Sequence, residues 1–171
     1  MKSKICIITG PCGSGKSTIA KKLANDIPNS VFLEVDILRE MIKNGGVAPF
    51  PYRGEAKKQI HLSMKNSCIL AKNFSNSGFN VFIEDVLEKK DIIDYYKENL
   101  KGAKIFLILP NKKILKKRDA SRKKIDVMGK RALELHNIFT SMLKKEKRWI
   151  VMDNSNESKK ETTKKIWEML K

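Results

Sequence analysis

A chain of 171 residues is long enough for one well-packed core and short for two. Cys6, Cys12 and Cys68 are too few and too scattered for a disulfide framework or a zinc cluster, and no apolar run approaches the roughly 18 residues of a membrane span. The formal net charge of +17 comes from 36 basic and 19 acidic residues; lysine dominates, as in a compositional bias, yet residues 112–148 alone carry 14 basic and 4 acidic residues. A local field of that sign suits a polyphosphate.

The opening Met1-Lys2-Ser3-Lys4 leads into a first apolar run at 4–9. Gly10-Pro11-Cys12-Gly13-Ser14-Gly15-Lys16-Ser17 follows, and then a helical pattern at 16–25. Strand, glycine-rich loop and helix in that order make the G-x-x-x-x-G-K-[ST] phosphate loop. Gly10, Gly13 and Gly15 let successive backbone N–H groups turn inward around the nucleotide phosphates, with Ser14 among them. Lys16 is placed to reach the β- and γ-phosphates, Ser17 to offer a hydroxyl to Mg2+, and Thr18 to extend the first helical turn, whose positive end faces the same anion.

A second apolar run, 31–35, ends at Asp36, and a helical pattern continues to 43 with Arg39 one turn after Asp36. A carboxylate at that sheet edge can take or orient the proton of a hydroxyl attacking the γ-phosphate, and the guanidinium can hold the acceptor. An N-capping aspartate with a surface ion pair is the bland reading of the same residues. The loop 47–53 then offers Phe50 and Tyr52 as pocket walls. After a helical pattern at 54–77, the third run, 81–84, ends in Glu84-Asp85, where a carboxylate would meet Mg2+. Both are candidates for the metal, Asp85 slightly favoured because it begins the loop and is the more ordinary Mg2+ partner, and Asp85 is also a candidate substrate contact.

Helical patterns at 89–99 and 112–122 flank the fourth run, 105–109. Patterns at 129–147 and 158–171 flank the fifth, 149–152. Arg118 and Arg122 share a helix face in the most basic segment, so residues 118–129 read as a lid closing over ATP and neutralising charge on the transferred group. His61 and His136 have no second ligand nearby and read as structural or incidental. Five continuous apolar runs alternating with helices imply an α/β protein: a three-layer P-loop NTPase fold with a five-stranded parallel sheet, helices on both faces and a helical lid. The expectation is one domain over 1–171, cytoplasmic, without a membrane partner.

The chain resembles the small P-loop kinases of the zeta-toxin-like group. Val35-Asp36-x-Leu38-x-Glu40, Glu84-Asp85-Val86-Leu87 and the stretch from Arg118 to His136 are similar to chloramphenicol phosphotransferases in order and spacing. Asp36-x-x-Arg39 and Arg118-x-x-x-Arg122 equally resemble the kinase domain of polynucleotide 5′-hydroxyl kinases. The resemblance implies that Asp36 is the catalytic base and that the lid arginines engage the nucleotide. The expected activity is transfer of the γ-phosphate of ATP, with Mg2+, to a hydroxyl of a small-molecule acceptor. A nucleic-acid 5′-hydroxyl kinase and a regulatory P-loop ATPase remain the alternatives. Asn111-Lys112-Lys113-Ile114 lacks the aspartate of a GTPase guanine motif, which favours ATP.

Overall fold

The computed structural model describes residues 3–147 and 149–171; Met1, Lys2 and Arg148 of the segments discussed above lie outside the described residues. Strands β1 (Ile5–Thr9), β2 (Ser30–Glu34), β3 (Asn80–Glu84), β4 (Lys104–Ile108) and β5 (Ile150–Met152) form one parallel sheet in the order β2-β3-β1-β4-β5. Among the described residues seven α-helices connect and flank them: α1 (Lys16–Asp26), α2 (Val35–Glu40), α3 (Gly54–Asn76), α4 (Lys90–Asn99), α5 (Lys112–Ala120), α6 (Lys130–Met142) and α7 (Lys159–Leu170).

Alternation along the inner strands explains why they read as unbroken apolar runs. Ile7, Val81, Ile83, Ile105 and Leu107 pack into one core with Met64, Ile93, Tyr96 and Phe139 of α3, α4 and α6. Cys6, Ile8, Phe82, Phe106 and Ile108 point the other way, onto Ile19 and Leu23 of α1 and Ile166 of α7. Each face is covered, so neither alternate set can be polar. The sheet order reverses at β1, between β3 and β4, which opens a crevice at the carboxyl ends of the strands where the phosphate loop lies.

Several boundaries differ from the sequence expectation. Val35 opens α2 instead of closing β2, and α2 stops at Glu40 rather than 43. Gly45 and Gly46 follow too soon for the helix to continue. Helix α5 stops at Ala120, with the Ser121 N–H bonded to Lys117 O, and α6 ends at Met142. Helix α7 begins with a capping box, Ser158 accepting from Glu161 N–H while the Glu161 carboxylate accepts from Ser158 N–H.

Candidate active site

The phosphate loop is held by contacts that leave no room for larger residues. A Cβ at Gly10 would stand 2.4 Å from Ile108 O and 2.9 Å from Ser14 Oγ. Gly13 has φ +81°, and a Cβ there would press on Asp119 at 3.1 Å. The loop is thus packed between β4 and α5. Helix α1 starts at Lys16 with no side-chain cap and no acidic residue in its first turn, so its first N–H groups and positive end stay available to an anion. Ser14 Oγ is buried without a partner. A cradle of this shape, with orphan donors at its floor, fits nucleotide phosphates.

Lys16 Nζ lies 3.1 Å from Glu84 Oε1, and both side chains are buried. Burial by itself would lower the ammonium pKa, but the Glu84 carboxylate, with Cys12 and Asp36 adding to it, outweighs that and raises it, so Lys16 is charged. Glu34 sits beside Glu84 in the β2–β3 register. Its carboxyl is pushed up by partial burial and by the charges of Glu84 and Asp36.

Asp85 takes a different course from its neighbour. Its Oδ2 accepts from Tyr96 Oη at 2.8 Å and its Oδ1 from Val86 N–H at 2.7 Å, while Tyr96 and Ser67 hydroxyls lie 2.9 Å apart. Burial raises its pKa to about 7 against those two bonds, and the charges of Glu84 and Asp36 add to the rise. Of the two sequence candidates for the metal, Glu84 therefore faces the phosphate-loop lysine and Asp85 faces α4.

Asp36 occupies the first turn of α2, exposed, with Arg39 Nη1 2.9 Å from its Oδ1. The N-cap is Glu34 and makes no side-chain capping bond. Asp36 is therefore not a capping residue, although the expected ion pair with Arg39 is formed.

A cleft of about 920 Å³ runs from the loop and α1 to α5 and α7, lined by Gly15, Lys16, Arg118, Arg122, Asn154 and Ser158 among others. Arg118 stands inside α5 rather than in a separate lid, and it is fastened down. Its Nη2 donates to Asn154 O at 2.9 Å and its Nη1 to Asn154 Oδ1 at 3.1 Å; Asn154 Nδ2 in turn donates to Ser14 O at 3.1 Å. Arg122 follows the helix, exposed, 3.5 Å from Asp119. Buried Asp119 also accepts from Met128 N–H and Gly129 N–H at 3.2 and 2.8 Å, strapping both ends of the segment 121–129 together.

On the other side of Lys16, the segment between α2 and α3 is pinned twice. Buried Gln59 donates to Gly45 O at 2.8 Å and accepts from Val47 N–H at 3.1 Å. Tyr52 Oη donates to Asp91 Oδ2 at 2.9 Å and lies 2.8 Å from His61 Nε2, while Lys57 pairs with Asp91 at 3.0 Å. Partial burial would raise Asp91, but the bonds from Lys57, Tyr52 and His61 prevail and hold it at about 2. The Tyr52 hydroxyl is consequently engaged in anchoring. Phe50 remains exposed, its ring 4.1 Å from the Arg131 guanidinium. His136 Nε2 donates to Pro110 O at 3.0 Å, a structural bond.

Asn154, Gln59 and the anchoring role of Tyr52, His61 and Asp91 escaped the sequence reading. Each acts through a contact across the fold, and none sits in a motif; only the placement of Asn154 just after β5, at the ligand end of the sheet, was a usable signal.

A phosphate loop at the reversal of a 2-3-1-4-5 parallel sheet, with a carboxylate cluster on one side of its lysine and an arginine-lined cleft on the other, defines a P-loop kinase, a phosphotransferase. The chain belongs to the chloramphenicol phosphotransferase-like protein family, whose model matches residues 3–171. It is 26% identical over 155 residues to a guanylate kinase of Helicobacter hepaticus, covering 80% of this chain and 76% of that protein. Among solved structures, a shikimate kinase of Bacteroides thetaiotaomicron superposes with a TM-score of 0.67 at 18% identity, covering 98% of each chain. A gluconokinase of Sinorhizobium meliloti gives 0.67 at 16% identity over 99% of this chain and 91% of its own. At those identities the likeness is one of fold. No helix among the described residues is long and apolar enough to cross a membrane.

Proposed function

We propose that this kinase moves the γ-phosphate of ATP to a hydroxyl of a small-molecule acceptor, with Asp36 as the base that receives the hydroxyl proton. The observation that carries the reading is the placement of buried, charged Lys16 between two regions. The Arg118–Asn154 cleft suits the nucleotide, and the sheet edge bearing Asp36 and Arg39 suits the acceptor.

In that reading the loop N–H groups from Gly10 to Thr18 hold the phosphates, Lys16 spans the β- and γ-phosphates, and Arg118 fixes the wall of the nucleotide cleft. Arg122, on the strapped segment 121–129, supplies charge to the transferred group. Ser17 and Glu84 would hold Mg2+, because Glu84 faces the phosphate loop at Lys16 whereas Asp85 is turned to Tyr96 of α4. The metal would screen the phosphate charge.

The test is ADP release from ATP with chloramphenicol, shikimate, gluconate, nucleosides and 5′-hydroxyl oligonucleotides in turn, each against an acceptor-free baseline and against Lys16→Ala. Acceptor-stimulated release that Lys16→Ala abolishes is expected. Release that no acceptor stimulates would reduce the protein to an ATPase.

A nucleic-acid acceptor draws support from the exposed Lys112, Lys113, Lys116 and Lys117. Those residues lie on α5, beside the nucleotide cleft, whereas Glu34, Asp36, Glu84 and Asp85 crowd the acceptor side. Oligonucleotide binding that falls steeply between about 50 and 200 mM salt would favour that reading.

A further inference from the structure

Among the described residues three charged side chains are buried: Lys16 and Glu84, which pair with each other, and Asp119. Asp119, next to last in α5, is 3% exposed, and its cationic neighbour Arg122 stands 3.5 Å away at the surface. Backbone satisfies the carboxylate instead. Oδ1 accepts from Met128 N–H at 3.2 Å and Oδ2 from Gly129 N–H at 2.8 Å. A carboxylate taken out of water is kept only where its oxygens find donors, and here each oxygen has one.

What Asp119 secures follows from where those donors lie. Met128 and Gly129 end the exposed segment after α5, and Arg122 stands near its start, its own N–H bonded to Asp119 O at 3.2 Å. The stem of Asp119 leans on the phosphate loop, for a Cβ on Gly13 would meet Asp119 Cβ at 3.1 Å and its N at 3.2 Å. One residue thus fastens both ends of the segment and sets it against the phosphate cradle, with Arg122 on the wall of the cleft. An arginine on an untethered loop would have to be ordered at each turnover. On a closed loop it meets developing charge without that reorganisation.

We propose that Asp119 is a positioning residue for phosphoryl transfer: buried behind Gly13, it acts through its clasp on residues 121–129, which sets Arg122 where charge builds on the transferred group. This rests on the kinase reading for the role of Arg122 and adds the residue on which that role depends. Asparagine at position 119 can accept one of the two N–H groups with its oxygen but turns an NH2 toward the other, a donor facing a donor, and it offers Arg122 no charge.

The experiment is a double-mutant cycle on the full chain with Asp119→Asn, Arg122→Ala and both together. Calorimetry measures binding of MgATP and of MgADP with aluminium fluoride, whose fluoroaluminate stands in for the phosphoryl group in transfer. Each single variant is expected to weaken the fluoroaluminate complex by at least about 10-fold, the scale of one hydrogen bond to a charged group, with MgATP affinity near its wild-type value. The double variant is expected to lose no more than Arg122→Ala alone. Losses that multiply, an Asp119→Asn complex as tight as wild type, or Arg122→Ala without effect overturns the proposal. So does equal weakening of both nucleotide complexes by Asp119→Asn, the mark of a purely structural clasp. If Asp119→Asn does not fold, Met128→Pro takes its place in the cycle with the same expectations: it deletes one of the two donors, and Val127, at φ −72° and ψ 118°, has the extended backbone that a following proline needs. In wild type the Met128 and Gly129 amides are expected to exchange more slowly than free amides, and free exchange at both overturns the clasp. An intact cycle with ADP release that no acceptor stimulates would count against transfer to a hydroxyl alone; acceptor-stimulated release with losses that multiply would count against the Asp119 assignment alone.

Discussion

Lys16 Nζ and Glu84 Oε1 stand 3.1 Å apart in the buried floor of the site, so the phosphate-loop lysine holds its charge before any phosphate arrives. The pair explains how an ammonium can be desolvated without losing its proton: the opposite charge supplied by β3 replaces water. Breaking one member leaves the other uncompensated, which typically costs about 3–5 kcal/mol. Glu84→Gln is therefore expected to lower the thermal midpoint measurably, and ATP at saturating concentration should restore part of it, because the phosphates give Lys16 a new counter-charge. Lys16→Ala should lose phosphoryl transfer and be far less protected by ATP. Differential scanning calorimetry with and without nucleotide checks both; a Glu84→Gln midpoint equal to wild type would mean that the pair carries no weight.

Arg118 and Arg122, four residues apart, are expected to separate kinetically. Arg118 is tied to Asn154 and lies on the nucleotide cleft, so Arg118→Ala should raise the KM for ATP and disturb the loop that Ser14 O terminates. Asn154→Ala should reproduce much of that effect, since it removes the same links. Among the described residues, Arg122 is held by a 3.5 Å contact to Asp119. Arg122→Ala should lower kcat with little change in either KM, the pattern of an interaction made in the transition state. Steady-state kinetics of the three variants checks the division, and equal kcat losses with unchanged KM in Arg118→Ala would remove it.

The fold and the phosphate side of the site were legible because the information is local. Five apolar runs announce buried parallel strands, and Gly10 to Ser17 spells out its own backbone geometry. Helix ends were less legible: nothing periodic stops α2 at Glu40, and only the glycines beyond it mark the change. The contacts that shape the acceptor side were not legible at all. Gln59 clamping Gly45 and Val47, Asp85 turning to Tyr96, and Tyr52 reaching Asp91 each join polar groups on different elements, 11 to 39 residues apart. Such pairs have no spacing signature, since their partners are chosen by the sheet order and the helix packing. The basic segment 112–148 read as facing a polyphosphate, and Arg118 and Arg122 do line the cleft beside the phosphate loop.

Asp91 gives the acceptor segment a dependence on acid. Its carboxyl is held at about 2 by Lys57, Tyr52 and His61, below the roughly 3.9 of an unfolded aspartate. A depressed carboxylate contributes stability that is fully present above the unfolded value and is lost as pH falls through the folded one. The anchor should therefore weaken between about pH 4 and pH 2, and the contribution is modest because the carboxylate is 38% exposed. Asp91→Asn should flatten that part of the curve of thermal midpoint against pH, and should loosen the Tyr52 segment at neutral pH as read by faster amide exchange over residues 47–53. An Asp91→Asn curve parallel to wild type below pH 4 would show that the anchor does not depend on the charge.

Asp36 carries the last prediction. A carboxylate that orients and deprotonates the acceptor hydroxyl acts on the transfer step, so Asp36→Asn should leave ATP affinity and acceptor affinity near their wild-type values while kcat falls by roughly 100-fold or more. Stability should hardly change. Asp36 caps no helix, and its ion pair with Arg39 is exposed, with 57% of the Asp36 side chain open to water, where such pairs are worth little. ATP hydrolysis without acceptor need not fall in parallel, since water can approach the γ-phosphate without that carboxylate. The outcome separates the base from its neighbours: Glu34 is pushed towards protonation by the same cluster and lies one strand away from Glu84. If Asp36→Asn retains near-normal transfer to the acceptor, the base is not Asp36, and Glu34→Gln measured in the same assay becomes the variant whose rate must collapse.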